Sequence, residues 1–327
     1  MTLETIEKGR EMEIRFEERP IYKAPLAVLN HLYYYTTQYG LSVKQFTGAH
    51  WHYWEELPER LRNAQKHPKE IESIIKELEG LAEGSKERLQ KRREQIKGRK
   101  WGGKWAEKEI ILNAQLLSVL GAMPEELLAA GFRKIIGSKN LPSKLQIVDL
   151  IIKGEKGEDK DFVEPDLLLL GERHLLMVEV KTRGSEKSSR DYPPNQLLNY
   201  LQLVDKCGES KNDSLPKKFT HLILVPSSDP CWLENQREWV LELRDNQGRL
   251  KVDPDACIRL SKRKKSYPYE TLKNLINETP IYYRSWQELS DGFESAIHEY
   301  ADPLNHKHWV KILDEVKELA IRAGQYK

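Results

Sequence analysis

Two apolar runs, Phe162 to Leu170 and Leu175 to Thr182, have Gly171-Glu172-Arg173 between them. Runs of that length, rich in leucine and β-branched residues and joined by a short glycine-containing link, read as a β-hairpin. Side chains alternate along a strand, so Glu179 and Lys181 share one face while Val180 points to the core on the other. Asp166 follows Pro165 on the neighbouring strand, with twelve residues between it and Glu179. It is expected to reach the face that carries Glu179. Two carboxylates and an ammonium then converge on one place, which is costly unless a divalent cation binds there.

The segments around the hairpin read as further layers of an α/β domain. Gln146 to Lys153 is expected to be a preceding strand, with Asp149 facing solvent, and Thr220 to Val225 an apolar strand that follows. Between hairpin and last strand, Pro193-Pro194-Asn195 makes a good helix start. The chain has 327 residues, enough for one large domain or two smaller ones.

Hard cations take carboxylate, carbonyl and water oxygens. Asp166, Glu179 and the backbone carbonyl of Val180 are therefore the expected ligands of Mg²⁺ or Mn²⁺. Lys181 is not a ligand in this reading. Its ammonium orients or helps deprotonate an attacking water and offsets charge as a phosphodiester is cut.

Pro165-Asp166 with Glu179-Val180-Lys181 resembles the PD-(D/E)XK nuclease superfamily. Gln196-Leu-Leu-Asn-Tyr200, fifteen residues after Lys181, resembles the Q-x-x-x-Y motif of its RecB-type branch. Glu109-Ile-Ile-Leu-Asn-Ala-Gln-Leu-Leu117 looks like the superfamily's first core helix, which often carries a further metal-linked glutamate. Glu107 lies two residues away on a different helical face, and spacing to Leu116-Leu117 favours Glu109. The resemblance spans roughly residues 105 to 228. It implies a restriction-endonuclease-like αβββαβ core, a mixed central sheet flanked by helices. It also implies a metal-dependent nuclease in which Gln196 and Tyr200 brace the lysine or the substrate. DNA is the favoured substrate, because most relatives with this motif set act on it; RNA is the alternative.

Three regions are expected. Residues 1–104 form a helical, aromatic-rich and basic N-terminal region, 105–260 the nuclease-like core, and 261–327 a helical C-terminal region packed on it. Ile71, Ile74, Ile75, Leu78 and Leu81 recur at helical spacing. From Lys86 to Lys104 nine Lys or Arg stand against two Glu. There Arg92, Arg93, Lys97, Arg99, Lys100, Trp101 and Lys104 could track a phosphate backbone and stack on a base, or face water as an ordinary solvated segment. The rings from Tyr33 to Trp54 are a stacking platform or, more often, core or a protein interface. His50 with His52, and His306 with His308, lack partners at ligand spacing for zinc. Arg259 to Lys265 is a second basic patch after an expected strand. Ser285-Trp-Gln-Glu288 has the form of a capping box, and Trp309, Ile312, Leu313, Val316, Leu319 and Ala320 mark a last amphipathic helix.

Composition excludes some classes. Fifty-three basic against fifty-one acidic residues give a net charge of +2, so affinity for nucleic acid must come from local clustering. Cys207, Cys231 and Cys257 are far apart with no CxxC pair, which indicates neither a disulfide framework nor a zinc ribbon. A reducing cytoplasm fits best. No apolar run approaches a membrane span, and the N-terminal residues lack a signal-peptide profile. Besides a nuclease, two readings stay open: a catalytically silent binding module whose flanks dock a protein partner, and an effector subunit of a larger, defence-type assembly.

Overall fold

The computed structural model describes residues 13–17, 123–153, 165–181, 193–209, 215–225, 237–261 and 268–300, with scattered helical positions within 69–76, 116–121 and 306–317. In chain order the elements are β1 (Glu13–Glu17), α1 (Glu125–Ile136), β2 (Gln146–Lys153), β3 (Leu167–Gly171) and β4 (His174–Val180). They continue with α2 (Pro193–Glu209), β5 (Lys218–Val225), β6 (Val240–Glu242), β7 (Lys251–Val252), α3 (Pro254–Leu260), α4 (Tyr269–Glu278), β8 (Ile281–Ser285) and α5 (Trp286–Tyr300).

The expected hairpin is β3 and β4, paired antiparallel from Leu167↔Val178 to Gly171↔His174. Glu172 in the turn takes a positive φ of 50°. One mixed sheet runs β1-β2-β3-β4-β5-β8. Its first four strands are antiparallel neighbours, while β4, β5 and β8 are parallel. A parallel pair needs a crossover, and α2 supplies the one from β4 to β5. From α1 to β5 the elements run helix, three strands, helix, strand.

Strand alternation sorts the two faces. Leu176, Val178 and Val180 of β4, with Leu222 and Leu224 of β5, pack with α1 and α5. Leu175 and Met177 pack with Tyr200 and Val204 of α2, and Ile223 and Val225 pack with α2, α3 and α4. Glu179 therefore continues the row of Leu175 and Met177, toward α2. The α1–α5 contact depends on two glycines. A Cβ on Gly131 of α1 would lie 2.3 Å from the Phe293 ring, and one on Gly292 of α5 would lie 2.5 Å from Ile135.

The opposite end of α1 is tied to the sheet by a buried guanidinium. Arg284 of β8 donates from Nε to the Ile135 carbonyl at 2.7 Å and from Nη2 to the Ile136 carbonyl at 2.9 Å. Its Nη1 reaches the Tyr283 and Gly248 carbonyls at 2.7 and 3.1 Å. Carbonyls at the end of a helix lack intrahelical partners, so one side chain satisfies α1's last turn while Gly137, at φ 74°, ends it in the left-handed conformation.

Three expectations change. The flanks are not purely helical: β1, from the N-terminal region, pairs with β2, and β8, from the C-terminal region, pairs with β5. The helix immediately before β2 is α1, a segment for which no helix was expected. Glu107 and Glu109 lie outside the described residues, though Leu116 and Leu120 are helical and buried in the same core as α1. The strand expected before Arg259 is α3, because Asp253 accepts from the backbone N–H groups of Asp255 and Ala256 at 2.9 and 3.2 Å and Pro254 opens the first turn. Other expectations hold. Ser285 and Glu288 bond reciprocally as a capping box, Ser285 N–H to Glu288 Oε2 at 2.8 Å and Glu288 N–H to Ser285 Oγ at 3.2 Å. Ile74 and Leu313 are buried in the main core with Trp309 packed against it. Among the described residues no helix is long and apolar enough to cross a membrane.

Candidate functional site

Glu179 is the last but one residue of β4 and is only 4% exposed. Its carboxylate collects three donors. Lys181 Nζ and Gln196 Nε2 each lie 2.6 Å from Oε1, and the Tyr200 hydroxyl donates to Oε2. Lys181 is 1% exposed and is fixed at the strand end, where its backbone N–H donates to the Leu224 carbonyl at 2.7 Å and extends the β4–β5 ladder by one residue.

The local sequence accounts for each position. Period-two alternation puts Glu179 and Lys181 on the α2 side of the sheet. Gln196 and Tyr200 stand four residues apart, on one face of α2. Proline is compatible with a first helical turn, where no intrahelical acceptor is needed; α2 opens with Pro193-Pro194 and sets Gln196 close to the sheet. Asp166, immediately before β3, is half-buried and the most accessible of the five residues. Its Oδ2 accepts from the Val180 backbone N–H at 2.8 Å, so it grips β4 between Glu179 and Lys181.

These bonds matter because the surroundings are apolar. A buried carboxylate or ammonium is tolerated only when paired and hydrogen-bonded, and here the pairing is mutual. Such a polar island inside a hydrophobic layer is a better signature of a functional site than of a stabilising device, since hydrophobic groups of similar volume would serve stability as well or better.

His221 belongs to this island and has no counterpart among the residues singled out from the sequence. It is buried on β5, with its ring centroid 5.2 Å from that of Tyr200 at an interplanar angle of 55°. Burial first, and the Lys181 charge second, push its pKa down to about 3, so the ring is neutral. A lone histidine in the run Thr220 to Val225 looks like any core position, and no spacing rule marks it.

Among the described residues no group of three or more His, Cys, Asp or Glu is gathered as a metal centre. Glu109, the third acid expected, lies outside the described residues, as do Arg92, Arg93, Lys97, Arg99, Lys100, Trp101 and Lys104. His306 does not meet a metal cluster; its Nε2 is 2.7 Å from His298 Nδ1. Cys207 and Cys257 are free and buried, and burial pushes both thiols up to about 12, so neither is a nucleophile at neutral pH.

A cleft of about 1000 Å³, lined in part by His174, Lys218, Thr220 and Pro280, opens at the other end of the sheet, where β4, β5 and β8 begin. Parallel strands carry their chemistry at their carboxyl ends, and Glu179 and Lys181 stand at that end of β4. Comparison with protein-family models, curated proteins and solved structures finds no match to this chain.

Proposed function

We propose that the chain is a metal-dependent nuclease of the PD-(D/E)XK type that hydrolyses phosphodiester bonds in nucleic acid, with DNA as the favoured substrate. The observation that carries this reading is the convergence of Lys181, Gln196 and Tyr200 on the Glu179 carboxylate. The two halves of the resemblance, E-x-K and Q-x-x-x-Y, are independent in sequence, and they meet on one pair of oxygens. The element order from α1 to β5 supports the same reading.

The donor chemistry suits Mg²⁺ or Mn²⁺. Asp166 and Glu179 are hard carboxylate ligands, and a carboxylate offers about four lone-pair sites, one more than the three donors on Glu179 use. Gln196 Oε1 adds a buried acceptor without a hydrogen-bond partner among the described residues. Asp166, Glu179 and the Val180 carbonyl would hold the cation, with Glu109 as an additional ligand. When bound, it supplies Lewis acidity at the phosphate and acidifies water.

The chain's own residues do the rest. Lys181 holds positive charge beside the carboxylates and orients water toward the scissile phosphate. Gln196 and Tyr200 fix the Glu179 carboxylate in one orientation, as outer partners of metal ligands do. Asp166, through the Val180 N–H, keeps β3 and β4 in register at the reacting edge.

A second reading, a binding module that does not cut, is favoured by the near-complete burial of Glu179 and Lys181. One assay separates the two. Wild type and Asp166→Ala are incubated with plasmid, single-stranded DNA and RNA in Mg²⁺ or Mn²⁺. Cleavage that needs metal and is lost in the variant supports the nuclease; tight binding with no cleavage by wild type supports the module. The substrate cut fastest decides between DNA and RNA.

A further inference from the structure

We propose that the cleft where β4, β5 and β8 begin is a second binding site, for a nucleoside monophosphate held away from the reacting carboxylates. The choice of a nucleotide rests on the nuclease reading, because hydrolysis of a phosphodiester chain releases such molecules; the charge layout of the cleft does not.

At about 1000 Å³ the cleft reaches the upper end of the range that small-molecule sites occupy, and an inorganic ion would leave most of it unfilled. Leu141, Phe219, Leu275 and Tyr282 line it and suit a flat ring, since a nucleobase is apolar on its faces and polar at its edges.

The charges are divided between the elements. From β5 comes Lys218, exposed and with no ion pair among the described residues. Its neighbour Lys217 is turned to the end of α2, Nζ donating to the Cys207 and Gly208 carbonyls at 3.1 and 3.4 Å. From the helices come Asp205 of α2 and Glu278 of α4. An anionic group is therefore drawn to Lys218, while a polyanion is repelled by the two carboxylates. The occupant that fits has one anionic group and, elsewhere, N–H or O–H donors for the acids. A nucleoside monophosphate has both; an oligonucleotide has too many phosphates.

One lining residue is short of a partner. His174 is 7% exposed and bonds through Nε2 to Thr220 Oγ1 at 2.8 Å, but its Nδ1 has no hydrogen-bond partner among the described residues. Buried polar atoms are rarely left so, and a hydroxyl of the occupant would satisfy it. Position keeps the two sites apart. β4 carries His174 at the cleft and Glu179 near its other end, and α2 likewise carries Asp205 and, toward its start, Gln196. A nucleotide in the cleft therefore does not compete for the metal ligands.

Calorimetric titration of dAMP, dTMP, deoxyadenosine and inorganic phosphate into the full chain, with divalent cations chelated, tests the site. The monophosphates are expected to bind, and Lys218→Glu to weaken them by about tenfold or more, as loss of a charge-assisted hydrogen bond does. Deoxyadenosine should be weakened to a similar degree, inorganic phosphate should give no measurable binding, and Asp166→Ala should bind the monophosphates as wild type does. No binding of either monophosphate at millimolar concentration, or equal affinity in wild type and Lys218→Glu, overturns the proposal. Inorganic phosphate bound as tightly as dAMP overturns it too and leaves an adventitious ion only. Should Lys218→Glu fail to fold by circular dichroism, Lys218→Gln is read in its place. If wild type cuts nothing while binding depends on Lys218, the nuclease reading fails and the cleft stands as a nucleotide site; cleavage without such binding sinks the cleft alone.

Discussion

Lys181 and Glu179 form a buried ion pair, Nζ to Oε1 at 2.6 Å, inside the layer between the sheet and α2. Removing one partner leaves the other charge uncompensated in an apolar setting, which typically costs about 3 to 5 kcal/mol. Lys181→Met is therefore expected to lose stability on that scale. The double variant Glu179→Gln, Lys181→Met is expected to lose less than the sum of the two single changes, because no unpaired charge remains. Urea unfolding of the four proteins measures the coupling. Additive losses would mean that the two charges do not depend on each other.

Tyr200→Phe removes one donor from Glu179 Oε2 and nothing from the packing of the ring. A hydrogen bond to a charged group contributes about 1.5 to 3 kcal/mol, so a stability loss of about 2 kcal/mol is expected by urea unfolding. If Glu179 is a metal ligand, freeing its carboxylate also lowers turnover or metal affinity by about 10 to 100-fold. Calorimetric titration of Mn²⁺ into wild type and Tyr200→Phe checks the second effect without reference to cleavage. Equal affinities, with equal turnover, would reduce Tyr200 to a core residue.

His221 gives the protein an acid-sensitive stability. In the unfolded chain an imidazole titrates near its ordinary 6.5, while burial in the fold pushes it down to about 3. As pH falls through 6.5 the unfolded chain takes up a proton that the folded chain does not, so stability is lost on acidification, by about 1.4 kcal/mol per pH unit once well below 6.5. His174, whose pKa is lowered by burial and then by Lys218, acts in the same direction. Urea unfolding at about pH 7.5 and about pH 5 is expected to show a loss of about 2 kcal/mol in wild type from His221 that His221→Phe lacks. Identical pH dependence in the two proteins would show that His221 is not held neutral.

The parts of this fold that were legible in the sequence are those with local periodicity. The β3–β4 hairpin, the strand Gln146–Lys153 and the start of α2 follow from alternation, apolar runs and two prolines. Once Glu179 and Lys181 are on one strand face, and Gln196 and Tyr200 on one helix face, their meeting requires only that α2 cover the strand. Non-local pairing was not legible. Nothing in Glu13–Glu17 or Ile281–Ser285 states that each joins the sheet at an opposite edge, because that depends on residues more than fifty positions away, as in Ile14↔Ile152 and Leu222↔Tyr282. The segment leading into the Arg259 patch is the helix α3 and not a strand, since Asp253-Pro254 is a helix start. His221 was not legible because a single polar residue in an apolar strand has no period of its own; the contact with Tyr200 distinguishes it.

Gly131 offers a test of the layer opposite the site, where two local effects oppose each other. Replacing a helical glycine with alanine ordinarily gains about 1 kcal/mol in helix propensity. Here the added Cβ would lie 2.3 and 2.5 Å from Phe293 Cε1 and Cδ1, far inside contact distance. That ring cannot simply turn away, because it is buried and meets Phe132 edge to face at 5.4 Å. Overpacking a tight core costs about 1 to 3 kcal/mol and occasionally more, so the clash is expected to outweigh the propensity gain and Gly131→Ala to lower the melting temperature. Phe293→Leu in the same chain should recover part of the loss by vacating the contact. A Gly131→Ala protein that melts at or above the wild-type temperature would show that α1 and α5 are farther apart than this packing requires.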